Sequence, residues 1–374
     1  MITFSRLFMR KARGERHDLE GRMFDLIDGH SHIDILDFPE LTKAYLGLCP
    51  QPFDKVLRST PRSSVDLADS WGRTTLHWAS RADDSEAVGQ LIRCGADPNK
   101  IDTLGRTSLH LSYHRDSRCL ELLLGAKADV KLKDVDGRTV MHHLSAYGWD
   151  TTSLDLLLRY GANIEATNRY GQTPLDLAVA KDNHLMVSGL LERGANMNTR
   201  ATNGWTCIHR ALYYHSHNSL RILLEDTGLR YKVKSNYGWT LLHAAAVNAD
   251  IEALYILMSK SLYELDTAEE SVYGSTALEL AQYRRSENEK WSRRFCRPRD
   301  NDPTEWYGVF EELLESIIDA QASIAGSIDD EASQEEIAGR EVPRSLADEN
   351  CEDGGDEDEL WEDAQEGLGG QSQG

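Results

Sequence analysis

The sequence has no C-x-x-C pair, and its six cysteines (Cys49, Cys94, Cys119, Cys207, Cys296 and Cys351) lie far apart. That scatter argues against a thiol-based zinc site or a disulfide frame and favours reduced thiols. No run of 18 apolar residues occurs, so no membrane-spanning helix is expected. There is no N-x-S/T glycosylation acceptor. Also missing are G-x-x-x-x-G-K-[ST], G-x-S-x-G, H-E-x-x-H and G-x-G-x-x-G, the short elements of phosphate sites, serine hydrolases, zinc proteases and dinucleotide sites. Strong charge is absent outside the C-terminal tail. Residues 326–374 hold 17 acidic residues and 2 arginines, a net of −15 out of −21, so the rest of the chain carries only −6. A body of that charge lacks the basic field that phosphate backbones require, so nucleic acid is not an expected partner. The one basic run, "RRSENEKWSRRFCRPR" (284–299), reads as a solvated insertion loop.

What is present is a repeat. Glycine recurs at Gly72, Gly105, Gly137, Gly171, Gly204, Gly238 and Gly274, at spacings of 33, 32, 34, 33, 34 and 36. Two residues after each comes a threonine: Thr74, Thr107, Thr139, Thr173, Thr206, Thr240 and Thr276. An apolar residue follows two further on, and five units then carry His77, His110, His142, His209 or His243. The other two have Asp176 and Glu279 there. The first four units close on "LIRCGADPN", "LLLGAKADV", "LLRYGANIE" and "LLERGANMN". The glycine suits a turn at positive φ, the threonine can cap free backbone N–H groups, and the apolar spacing gives a short helix with one buried stripe. The Leu-Leu pairs anchor a second helix, and Gly95, Gly161 and Gly194 suit left-handed helix stops. One such unit cannot bury its own faces, so the units must stack.

The pattern from "DSWGRTTLHWAS" to "LIRCGADPN" closely resembles the ankyrin repeat, a β-turn and two helices per unit of about 33 residues. The resemblance implies an all-α ankyrin-repeat solenoid of stacked helix-turn-helix units with short β-turn fingers. The expected organisation is an irregular leader at 1–40, a degenerate capping repeat at 41–68 and seven repeats at 69–320. The last repeat carries an insertion at 285–304, and a disordered acidic tail occupies 321–374. The long last unit together with the acidic tail resembles ankyrin proteins of filamentous fungi. Leu144 stands where the first helix otherwise has a small residue, and it should displace a neighbour.

Three histidine patterns raise the question of chemistry. The five repeat histidines fall one per layer, on the order of 10 Å apart. Ligands of a single zinc lie about 2 Å from the metal, so these histidines cannot share one ion. In ankyrin repeats this histidine resembles a hydrogen-bonding group that ties a helix start to the next loop. The stretch "DGHSHIDILD" (28–37), with His30 and His32, looks like the first metal-binding strand of a metal-dependent amidohydrolase, which makes such a hydrolase the alternative reading. A barrel of that kind needs about 250 residues of alternating strands and helices, which the repeats leave no room for. A second H-x-H pair, His215 and His217, has no Cys, Asp or Glu at suitable sequence spacing. The expectation is therefore a noncatalytic protein with no cofactor and no metal.

Function in this architecture is expected on a concave face. By the register that designed ankyrin binders vary, the first three repeats contribute Trp71, Arg73, Arg81, Arg106, His114, Arg115, Arg138 and Tyr147. The next three contribute Arg169, Tyr170, Lys181, Trp205, Tyr213, Tyr214, Tyr237 and Trp239. The face should be arginine-rich in its first half and aromatic in its second, residue types enriched at binding hot spots. It suits an acidic, partly apolar peptide or surface. The tail segment "DEDELWEDAQE" (356–366), with Leu360 and Trp361 among acids, has that chemistry and could compete for the face, making the chain a tail-autoinhibited binding protein. The role expected is an adaptor or scaffold in the cytoplasm or nucleus. The basic residues 1–14, four positive charges and no acid, resemble a mitochondrial presequence as the alternative.

Overall fold

The computed structural model describes residues 38–113, 117–260, 262–286 and 303–335, with side chains as far as 324. Among the described residues there are 15 α-helices, and no strand longer than an isolated bridge. The chain divides into two compact units, Met1–Asn196 and Met197–Gly374.

The first unit opens with α1 (Glu40–Tyr45) and α2 (Phe53–Ser59). Phe38, expected within the irregular leader, packs edge-on against Trp78 at 5.7 Å. Thr42 and Thr75, 33 positions apart, share a buried hydroxyl hydrogen bond of 2.9 Å. The helix pairs α3 (Thr75–Arg81) with α4 (Ser85–Arg93), α6 (Val140–Tyr147) with α7 (Thr152–Arg159), and α8 (Pro174–Ala180) with α9 (His184–Glu192) follow the repeat register. In the second repeat the first helix is reduced to a 3-10 turn, Ser108–Leu111, ahead of α5 (Arg118–Gly125). There the Ser112 hydroxyl donates to the Leu109 carbonyl at 2.9 Å, taking an acceptor near the end of the turn. Most other repeats keep alanine at that position.

Leu144 is the large exception, and the structure accommodates it through Gly148. A Cβ on Gly148 would lie 2.5 Å from the Leu144 carbonyl oxygen and 2.6 Å from Met186 Cε. The absent side chain is the space that the larger leucine fills. Helix stops at Gly95, Gly161 and Gly194 are left-handed, at φ between 83° and 93°. In the second repeat that place is taken by Lys127, at φ 65°.

The second unit pairs α10 (Cys207–Tyr213) with α11 (His217–Glu225), α12 (Leu241–Asn248) with α13 (Ile251–Met258), and α14 (Ala277–Ser286) with α15 (Pro303–Glu335). The tail boundary expected at 320 falls inside α15, because no proline interrupts the chain between 304 and 335. Trp306, Phe310, Leu313 and Ile317 form its buried stripe. Arg284 departs from the expectation of a solvated loop at 284–299, of which residues 287–299 lie outside the described residues. It is buried on α14 and donates to the carbonyls of Ala246, Val247 and Ala249 at 3.2, 3.4 and 2.9 Å. The Trp306 indole stacks over its guanidinium at 3.8 Å and donates to Ala249 O at 2.9 Å. These donors satisfy the carbonyls that the end of α12 leaves without intrahelical partners.

Candidate functional site

All seven finger glycines have φ between 69° and 77°. Gly72, Gly105, Gly137, Gly204 and Gly238 also sit where the next finger comes close, as at Gly137, whose Cβ would stand 2.9 Å from the Arg169 amide. Within each unit, single backbone bonds join adjacent fingers: Thr103 N–H to Trp71 O at 2.8 Å, Val135 N–H to Leu104 O at 3.0 Å, and Val272 N–H to Tyr237 O at 3.0 Å.

The repeat histidines are structural. The backbone N–H of Thr74, Thr107, Thr139, Thr206 and Thr240 donates to the Nδ1 of the histidine three residues on, at 3.1–3.4 Å. An N–H can only donate, so Nδ1 is the acceptor and Nε2 carries the proton. His77, His142 and His243 spend that proton on the carbonyls of Arg106, Gln172 and Ser275 in the following finger, and His110 reaches Leu132 O. Burial dominates their titration and holds His110, His142 and His209 at about 4, with His77 and His243 also lowered. His209 is the exception in geometry, since its Nε2 faces the Trp239 carbonyl without a well-formed hydrogen bond.

The finger residues expected to bind are largely engaged inside the fold. The Arg106 side chain grips buried Asp102 with two contacts of 2.9 Å. Arg73 reaches the same carboxylate at 3.8 Å and lies 5.2 Å over both the Trp71 and Trp78 rings. Arg138 and Arg169 flank Asp136 at 3.1 and 3.0 Å, and Arg169 covers the Tyr170 ring at 4.6 Å. Trp205 and Trp239, expected on the contact surface, are each only 6% exposed. Trp205 is enclosed by Tyr213 at 5.2 Å and His209 at 6.4 Å, so its ring serves packing in the second unit. His114 and Arg115, like His30, His32 and Trp361, lie outside the described residues.

What remains at the surface of the first unit is a ladder at the ends of successive first helices. The Arg81 guanidinium lies 5.4 Å over Tyr113, Tyr113 meets Tyr147 at 5.3 Å, and Lys181 Nζ lies 5.5 Å over Tyr147. Tyr147 is 45% exposed. Tyr113 was missed in sequence because the binder register selects His114 and Arg115, one and two places later. In the second unit, Tyr214 is 47% exposed and packs on Tyr213 at 4.8 Å, while Tyr237 stacks on Tyr273 at 6.4 Å.

The second unit also brings carboxylates to the H-x-H pair, correcting the expectation that none accompanies it. His217 Nε2 lies 2.9 and 3.0 Å from the two oxygens of Asp250, and His215 Nδ1 lies 3.3 Å from Oδ2. His217 Nδ1 lies 3.2 Å from Glu252 Oε2. Asp250 is 33 residues beyond His217, one repeat period, so a search one period away in sequence would have found it. Burial opposes ionisation of Asp250, but hydrogen bonds from His215, the Ala253 N–H and His217 outweigh it and lower its pKa. No helix among the described residues is long and apolar enough to cross a membrane.

A family model described as "Ankyrin repeats (3 copies)" matches residues 49–134, 111–201 and 186–269. Palmitoyltransferase AKR1 of Lachancea kluyveri is 32% identical over 160 residues, covering 41% of this chain and 22% of that protein. The B-cell lymphoma 3 protein homolog of Mus musculus is 33% identical over 153 residues, 39% of this chain and 34% of that protein. The chain therefore spans about a fifth to a third of the length of these relatives. Among solved structures, the ankyrin repeat domain of Bcl-3 is similar at a TM-score of 0.47 and 25% identity, covering 59% of this chain and 98% of that one. Ankyrin repeat domains bind protein partners, and their fold is typically noncatalytic. The match over residues 49–269, more than half of the sequence, settles the assignment: the chain belongs to the ankyrin repeat family.

Proposed function

We propose that this chain is a noncatalytic interaction adaptor or scaffold, and that its first unit presents a cation–aromatic face to an acidic, partly apolar peptide or protein surface. The observation that carries this reading is the ladder Arg81–Tyr113–Tyr147–Lys181, in which two cations cap a tyrosine pair at 5.3–5.5 Å. Tyrosine offers large, rigid contact area and arginine charge-assisted bonds, the side chains enriched at hot spots. Arg73 and Arg106 are drawn to the buried Asp102 carboxylate. Tyr214 and Tyr273 are further exposed aromatics on the second unit. The scattered cysteine spacing supports a partner encounter in the cytoplasm or nucleus.

The acidic tail supports a second reading, autoinhibition, because residues 356–366 carry acids around Leu360 and Trp361. A labelled peptide of that sequence, titrated against the whole chain and against a chain ending at Glu335, tests both readings. Tighter binding to the shorter chain is expected, weakening as salt rises. Equal affinity for the two chains would remove the autoinhibitory reading. No binding to either would remove the acidic-peptide reading.

A further inference from the structure

We propose that His215, His217 and Asp250 form a binding site for a divalent transition-metal ion of the zinc type, with Glu252 orienting His217 from behind. The three residues come from two consecutive repeats. His215 lies in the tight turn between α10 and α11 and adopts a left-handed backbone, φ 54°, in place of glycine. His217 is the first residue of α11. Asp250 caps α13, accepting from the Ala253 N–H at 2.9 Å. One ligand atom from each residue lies within 4.8 Å of the others.

That spacing fits a metal. Ligands about 2.0–2.1 Å from a tetrahedral zinc stand roughly 3.3–3.5 Å apart from one another. The observed contacts of 2.9–3.3 Å between the imidazoles and Asp250 need only open slightly. The arrangement behind His217 is the stronger argument. With Nε2 directed at the ion, Nδ1–H is left to donate, and it faces Glu252 Oε2 at 3.2 Å. The other Glu252 oxygen accepts from Arg221 at 2.8 Å, so the orienting carboxylate is itself held. A carboxylate behind a ligating histidine fixes its tautomer and raises its basicity. Two imidazoles and one carboxylate favour a borderline ion over Ca2+ or Mg2+, which require oxygen ligands. All three side chains are partly open to solvent, leaving the fourth position to water. The ion would link the turn of the fifth repeat to the helix start of the sixth and stabilise the second unit by mass action.

The test is calorimetric titration of Zn2+ into the chelator-treated whole chain, in excess Mg2+, alongside the spectrum of the Co2+ form. One equivalent of Zn2+ should bind, the Co2+ form should show the intense visible bands of tetrahedral coordination, and Zn2+ should raise the melting temperature. Asp250→Asn keeps a side chain able to cap α13 and should weaken binding at least tenfold, as should His217→Gln. Glu252→Gln should retain the stoichiometry with affinity reduced about 10–100-fold. A His30→Ala, His32→Ala chain should bind as the parent does. No binding by the parent chain, binding that survives Asp250→Asn and His217→Gln, or loss only on changing His30 and His32 would each overturn the site. Unchanged affinity in Glu252→Gln would overturn the role given to Glu252.

Discussion

The two units share one register and stabilise their fingers by different chemistry. In the first, the fingers begin with Asp69, Asp102, Asp134 and Asn168, and each Oδ1 accepts two backbone N–H groups at 2.8–2.9 Å. The residue after the finger glycine is then Arg73, Arg106, Arg138 or Gln172. In the second unit the fingers begin with Ala201, Ser235 and Ser271, and the residue after the glycine becomes Trp205 or Trp239 in two of the three. Ser235 Oγ still serves two N–H groups, but at 3.1–3.3 Å. Where the carboxylate is lost, at Asn168, Ala201, Ser235 and Ser271, the arginine goes with it, and after Ala201 and Ser235 an aromatic ring is buried instead. The exchange shows that one sequence position can be a polar strut or a core residue, depending on what stands four residues earlier.

The largest expected effect is that of pH, and it separates the histidine-capped helix starts of both units from the acid-capped ones. His110 and His142 in the first unit and His209 in the second are held at about 4 by burial, against an ordinary 6.5. Unfolding therefore takes up protons between those values. Stability should be complete above about pH 6.5, fall as the pH drops through the window, and level off for these groups near pH 4. By pH 4.5 each histidine accounts for roughly 2–3 kcal/mol. Urea unfolding followed by hydrogen exchange at pH 7 and 5 should show the loss around the histidine-capped helices. It should be small at α8, where Asp176 makes the same cap to Thr173 N–H at 2.9 Å. Uniform loss across all seven helix starts would break the account.

Trp306→Ala should cost about 3–5 kcal/mol and deprotect α12 and α14 while leaving the first unit as it was. Protection lost equally in both units would show that the tryptophan does not act as a local cap. Gly148→Ala should cost about 1–3 kcal/mol, and Leu144→Ala in the same chain should recover part of that, giving a coupling energy in a double-mutant cycle. Additive costs would place the crowding elsewhere. Lys127→Gly should be the smallest effect, a gain of about 0.5–1 kcal/mol in unfolding free energy read from urea denaturation, because glycine removes the left-handed penalty.

The comparison also shows which features were legible in sequence. The Gly-x-Thr-x-x-His register located the fingers and helix starts because each of those residues answers a local backbone need. It missed the 3-10 turn at Ser108–Leu111, because the second repeat keeps the same Gly-x-Thr-x-x-His residues as its neighbours. It gave no sign that Trp205 and Trp239 are buried, because a position in a binding register carries no information about burial, which the short Ala201 and Ser235 allow. The carboxylates around His215 and His217 were invisible to local spacing and visible only at the repeat period.

The central claim is that recognition runs through the ladder of the first unit and not through the finger tryptophans of the second. The direct measurement is fluorescence anisotropy of the labelled 356–366 peptide with a chain ending at Glu335, comparing the parent, Arg81→Glu with Tyr147→Ala, and Trp205→Phe. The ladder variant should bind at least tenfold more weakly, about 1.4 kcal/mol or more, and Trp205→Phe should match the parent. A ladder variant that binds like the parent, or a Trp205→Phe chain that binds as weakly as the ladder variant should, would contradict the claim.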